Sequence, residues 1–299
     1  MRTAFINELM SIAATDNRIV LVTGDLGFSV LERFAERFPD RYINVGVAEQ
    51  NMIGIASGLA LSGKIVFTYS IANFATIRCL EQIRNDVCYH HANVKIVSVG
   101  AGFSYATQGY THFGIEDIAI MRALPNIKVL SPADPLETSL IVKQAVANDG
   151  PCYLRLGKAN EARIHSENFI FDPSLLPIII PVITRDSKVN ILATGAITAM
   201  VKDKISSNNL NYSLWSVPHI KPIDDIALLK IATNSDFIYT IEEHQLSGGF
   251  GSAVLEAYER LVNQGRLTKF PVIKRMGVND LIPDYIGSQS FMRELITIP

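Results

Sequence analysis

The sequence predicts an α/β protein with a larger parallel-sheet domain followed by a smaller α/β domain. Three observations carry this prediction. Short β-branched runs alternate with longer amphipathic stretches through the first half; a stretch holding Pro173, Pro177 and Pro181 then interrupts the alternation; and a shorter series of the same kind begins at Val189. The boundaries are placed at 1–162, 163–187 for a linker, and 188–299.

The elements follow in order. IVLVTG (19–24), KIVFTYS (64–70), VKIVSVG (94–100) and IKVLSP (127–132) read as strands, because Val, Ile and Thr pack well on a pleated surface. YLRLGK (153–158) closes the first series. VNILATG (189–195), YSLWSVP (212–218) and DFIYTIEE (236–243) open the second, followed by a glycine-rich turn, a helix over 251–264 and a strand at 271–277.

Composition narrows the function. With 48% hydrophobic and 19% charged residues over 299 positions, the chain has ample core material for two domains. A formal charge of −2 and no basic stripe exclude a nucleic-acid partner. Cys79, Cys88 and Cys152 form no CxxC pair and sit in apolar segments, as buried free thiols of a reducing cytoplasm would. The first residues carry no export signal. The region around Ile178 to Ile183 is far shorter than the roughly 20 residues a membrane span needs, and Pro177 and Pro181 interrupt it. A soluble, cytoplasmic protein with no membrane contact is expected.

Four segments carry candidate chemistry. In NVGVAEQNMIGIASGLALSG (44–63), Glu49 stands at the mouth of a helix rich in Gly, Ala and Ser, which let a ligand approach closely. An ordinary helix-start carboxylate is the plain alternative. GDLGFS (24–29) follows the first strand, at the edge where open α/β sheets place ligands, and also reads as a simple turn. FATIRCLEQIRND (74–86) reads as a helix with Ile71, Phe74 and Ile77 at i, i+3 spacing, equally a core pattern. TQGYTHFGIEDIAIMR (107–122) sets His112 in a loop before a helix. Gly248, Gly249 and Gly251 precede a helix without the Lys-Ser/Thr ending of a phosphate loop.

The run from Asn44 to Ala60 resembles the corresponding segment of transketolases and of 1-deoxyxylulose-5-phosphate synthases, and the likeness extends over almost the whole chain. It is similar to the pyrimidine-binding and C-terminal domains of a split, two-subunit transketolase, and to the C-terminal two-thirds of the synthases. The resemblance implies thiamine diphosphate as cofactor, with Glu49 bonded to its aminopyrimidine ring and Phe74 stacked on that ring beside Ile71 and Ile77. It brings Asp25 and Leu26 to the cofactor, and Ser29, Gln108, His112 and Arg155 to the substrate. Glu49 and His112 carry the proton transfers, and the forked donors of Arg155 suit a phosphate. Three positions depart from the family pattern: Gln108 replaces an aspartate, Gly100 a histidine of classical transketolases, and Ile71 a frequent phenylalanine.

The resemblance also implies the reaction, transfer of a two-carbon ketol unit from a ketose, phosphorylated or not, to an aldose. The Gly-Asp-Gly sequence with a later Asn, which holds Mg²⁺ and the diphosphate in this family, does not occur here, and the chain starts at the equivalent of the pyrimidine-binding domain. No metal ligand is assigned to it. Mg²⁺ is expected mainly on an N-terminal diphosphate-binding partner subunit in an α₂β₂ heterotetramer, with copies of this chain paired inside it. The alternatives are a β subunit of a 2-oxo acid dehydrogenase component, a decarboxylating synthase, and a scaffold without catalysis.

Overall fold

A computed structural model of the chain describes residues 1–166, 169 and 176–299. Within the expected linker, residues 167–168 and 170–175, Pro173 included, lie outside the described residues.

The first sheet has seven strands in the order β10-β5-β6-β4-β3-β1-β2. These are β1 (Ile19–Thr23), β2 (Tyr42–Asn44), β3 (Ile65–Ile71), β4 (Val94–Val99), β5 (Lys128–Leu130), β6 (Cys152–Leu156) and β10 (His219–Lys221). All pair in parallel except β10, which lies antiparallel to β5. The second sheet runs β12-β11-β8-β9-β7, from β7 (Ile180–Ile183), β8 (Val189–Ala193), β9 (Ser213–Ser216), β11 (Phe237–Gln245) and β12 (Val272–Val278). Only β7 is antiparallel there. β7 falls inside the span expected as linker, and β10 lends a strand of the second series to the first sheet.

Both faces of the first sheet are covered, which is why its strands read as continuous apolar runs. Val20 and Val22 point into one core with Met52, Ile53 and Ile96; Ile19 and Leu21 point into the other with Phe5, Leu9 and Phe67. Burying each such side chain contributes about 1.5–3 kcal/mol. A third core joins Ile191, Ile241 and Leu214 of the second domain to Phe103, Phe113 and Ile115 of the first. The three cysteines are free and buried, and burial pushes Cys88 and Cys152 up to about 11, so their thiols are unreactive. No helix among the described residues is long and apolar enough to cross a membrane.

The stretch 74–86 is not one helix. Ala72–Ala75 and Ile77–Cys79 are single turns, Leu80–Gln82 is a third, and Ile83–Cys88 is π-helical. Thr76 and Cys79 leave helical dihedrals (φ −120°, ψ −77° and φ −121°, ψ 26°). Their side chains bond back to the carbonyls of Ala72 and Ala75, competing with the helix. The broken path lifts Phe74 and Arg78 toward the edge of the sheet.

Candidate active site

Because β1 to β4 are parallel, their C-terminal ends share one edge, and the loops leaving them converge there. β1 leads into Gly24 to Ser29, β2 into the helix Glu49–Leu61, β3 into the turn bearing Phe74, and β4 into the loop bearing His112.

Glu49 opens its helix behind Ala48, which has no capping side chain, so the positive helix end faces the carboxylate. It is 2% exposed. Its Oε1 accepts a long hydrogen bond from Ser70 Oγ at 3.5 Å, and its Oε2 pairs with Arg78 Nη1 at 2.9 Å. A Cβ added at Gly24 would stand 3.5 Å from Glu49 Cγ, in ordinary van der Waals contact, so the two residues are close neighbours. The first loop is held by Asn44, whose Nδ2 donates to Asp25 Oδ1 at 2.9 Å while its Oδ1 accepts from the Asp25 N–H at 3.1 Å. Asp25 and Ser29 both take left-handed dihedrals (φ 59° and 63°), which turn the loop over the sheet edge.

Phe74 lies beside Glu49. The Arg78 guanidinium carbon sits 4.1 Å from the Phe74 ring centroid, and the His112 ring meets Phe74 edge-on at 5.3 Å. His112 Nδ1 lies 3.0 Å from Thr111 Oγ1, and the Thr111 carbonyl accepts from Asn73 at 3.2 Å, so the imidazole is held through its neighbour. Burial lowers the His112 pKa, favouring a neutral ring able to accept a proton. Next to it lies a cavity of about 270 Å³ lined by Arg2, Leu26, Ile71, Tyr105, Gln108 and His112, among others.

The structure therefore gathers Leu26, Glu49, Ile71, Phe74, Gln108 and His112 at one edge, with Asp25 and Ser29 on the rim. Ile77 is largely exposed. Arg155, which the resemblance brings to the substrate, does not line that cavity. It is buried on β6, with its Nε 2.7 Å from Asp117 Oδ2 and its Nη2 donating to the carbonyls of Gly114 (2.6 Å) and Glu243 (3.0 Å). With Nε and Nη2 engaged in that way, Arg155 ties the two domains together.

Sequence reasoning missed Arg2, Tyr105 and Arg78. Arg2 Nε is buried without a hydrogen-bond partner among the described residues. Its signal was a cation in the first turn of the helix Arg2–Ala13, against the helix dipole. Tyr105 packs over Gly100, whose φ of 99° and lack of space for a Cβ leave no room for the histidine of the classical pattern. Arg78 had no readable signal, since its reach depends on the broken helix.

The transketolase pyrimidine binding domain family matches residues 1–162, and the transketolase C-terminal domain family matches 180–290. The chain belongs to the transketolase family. It is 34% identical over 265 residues to an apulose-4-phosphate transketolase subunit of Actinobacillus succinogenes, covering 87% of this chain and 82% of that one. It is likewise 34% identical over 298 residues to the 6-deoxy-6-sulfo-D-fructose transketolase subunit SqwH of Clostridium sp. (strain MSTE9), covering 98% and 89%. Among solved structures, a split gene transketolase described as an inactive beta4 tetramer superposes with a TM-score of 0.81 at 35% identity, over 95% of this chain and 90% of that one.

Proposed function

We propose that this chain is the pyrimidine-binding subunit of a two-subunit, thiamine diphosphate-dependent transketolase that moves a two-carbon ketol unit from a ketose to an aldose. Its domains are the pyrimidine-binding domain over 1–162 and a C-terminal domain whose sheet already includes β7, and it works in the cytoplasm. The observation that carries the reading is the juxtaposition of the buried Glu49 carboxylate and the Phe74 ring, close enough that one planar cation touches both. That pair fits an aminopyrimidine, which needs an acceptor for a ring proton and an apolar face to lie on.

When bound, thiamine diphosphate supplies an acidic carbon that can become a nucleophile and then accept the electrons of a broken carbon–carbon bond. The chain's own residues prepare that chemistry. Glu49 holds a proton at the ring nitrogen of the pyrimidine, Phe74 stacks on the ring, and Leu26 and Ile71 keep the floor of the cavity apolar. His112 accepts or returns a proton at a substrate oxygen, and Gln108 both donates and accepts where a carboxylate would only accept. Arg2, whose Nε has no hydrogen-bond partner among the described residues, stands in the cavity wall and supplies charge for an anionic substrate tail.

A diphosphate-binding partner supplies most of the Mg²⁺ site in an α₂β₂ assembly. That expectation is supported by relatives that are themselves named as subunits and that this chain covers over 82% and 89% of their length. The test is calorimetric titration of thiamine diphosphate with Mg²⁺ into this chain alone and into its mixture with a diphosphate-domain partner. Binding in the mixture alone is the expected result; tight binding by the chain alone sinks the shared site, and no binding in either sinks the cofactor assignment.

A further inference from the structure

Arg78 lies in the turn Ile77–Cys79 and holds two contacts at once. Its Nη1 is 2.9 Å from Glu49 Oε2, and its guanidinium carbon is 4.1 Å from the Phe74 ring centroid. Resting on the reading of Glu49 and Phe74 as the pyrimidine pair, this geometry has a specific meaning. A flat group that donates to Glu49 while covering Phe74 stands where the aminopyrimidine has to stand. The guanidinium shares its planarity and its N–H donors, and two flat groups cannot occupy one ring face together.

The side chain is also built to leave. Among the described residues the guanidinium donates hydrogen bonds to Glu49 alone, and the Arg78 side chain is 44% exposed. Gln50 Nε2 donates to the Arg78 carbonyl at 3.2 Å, so the backbone stays anchored while the side chain swings. The non-helical Thr76 and Cys79 on either side free it from a helix face.

We propose that Arg78 is a displaceable placeholder, filling the pyrimidine slot of the cofactor-free subunit and moving to solvent when thiamine diphosphate enters. The arrangement keeps a buried carboxylate paired, which unaccompanied burial would penalise heavily. It also makes the cofactor compete with the chain's own side chain, so the apparent dissociation constant is the intrinsic one divided by the open fraction.

The experiment is calorimetry of thiamine diphosphate with Mg²⁺ on the assembled pair of subunits, comparing wild type with Arg78→Ala and Arg78→Gln. Both variants are expected to bind about tenfold more tightly than wild type, as for a slot occupied by its placeholder about nine-tenths of the time. If Arg78→Ala does not fold, Arg78→Gln carries the comparison, since its shorter, uncharged side chain gives up both the ion pair with Glu49 and the cover over Phe74. Equal or weaker binding by the variants overturns the placeholder while leaving the pyrimidine site standing. Absence of binding by the wild-type pair overturns both.

Discussion

Two charged regions of this molecule are built in opposite ways. At the domain junction, Asp117 on the helix Asp117–Ala123, Arg155 on β6 and Glu242, Glu243 and His244 on β11 meet in full burial, and the bonds run within the chain. Asp117 Oδ2 receives Arg155 Nε at 2.7 Å and Tyr153 Oη at 2.5 Å; Glu243 accepts the Phe103 N–H at 2.7 Å and pairs with Arg293 at 2.7 Å. At the sheet edge, by contrast, and among the described residues, Arg2 Nε has no hydrogen-bond partner, Glu49 has one weak hydroxyl and one half-exposed cation, and His112 meets Thr111 and the edge of Phe74. A region whose polar groups largely answer one another, Asp117 Oδ1 excepted, holds a fold; a region whose groups are left waiting is where a ligand completes the set.

The comparison is broken most severely by removing a junction charge. Arg155→Met should cost about 3–5 kcal/mol in denaturant unfolding, because Asp117 is left buried without its counter-charge. Asp117 makes the dependence plain: burial raises its pKa, yet Arg155 first and His244 next pull it below the ordinary carboxylate value. The molecules that stay folded should turn over normally. Lost turnover at unchanged stability would place Arg155 in the chemistry after all and erase the contrast.

Glu49→Gln sharpens the other side. The amide keeps an acceptor oxygen in the slot but cannot take up a proton, so turnover of the assembled enzyme should fall by about 10²–10⁴-fold. Steady-state kinetics set beside the unfolding midpoint would check this. A large drop in the midpoint would show that Glu49 holds the fold instead.

Much of this was legible in the sequence, for a physical reason. Strands buried on both faces advertise themselves as β-branched runs, so β1, β3, β4, β8 and β11 fall where the runs are. Phe74 follows β3 directly, Glu49 follows the short, half-buried β2 and His112 lies in the loop leaving β4, and a parallel sheet brings its strand ends together. The misses share a different cause. β10 and the buried role of Arg155 depend on which domain packs against which, and neither periodicity nor motif carries that information. In YLRLGK the residue fills an ordinary strand position, and only the approach of β11 decides that Arg155 faces Glu243. Arg78 depends on Thr76 and Cys79 breaking a helix that the pattern of 74–86 suggests should continue.

The smallest expected effect tests whether the junction is as self-sufficient as its hydrogen bonds suggest. Burial raises Glu242 to about 7, even though the N–H groups of Phe250 and Gly251 donate to it at 2.5 and 2.8 Å. Burial lowers neighbouring His244 to about 4, matching a neutral ring whose Nδ1 meets the Gln245 carbonyl at 2.7 Å and whose Nε2 meets the Ala119 N–H at 3.3 Å. The two act in opposite directions. For Glu242 the folded state binds the extra proton, so its contribution is full below the ordinary 4.5 and is lost as pH rises through about 7. For His244 the unfolded state binds the extra proton, so stability is lost as pH falls from 6.5 toward about 4. Over the shared window these two contributions cancel, while buried His219, also lowered to about 4, leaves a net rise of stability with pH in the wild type. Glu242→Gln removes the opposing group, and the rise of stability with pH should steepen relative to wild type by up to about 1.4 kcal/mol per unit between about pH 4.5 and 7. His244→Asn should change the slope in the opposite direction and flatten it, because His219 then offsets Glu242. Urea unfolding at a series of pH values reads both, and parallel slopes for wild type and the two variants would mean that neither group changes its proton on unfolding.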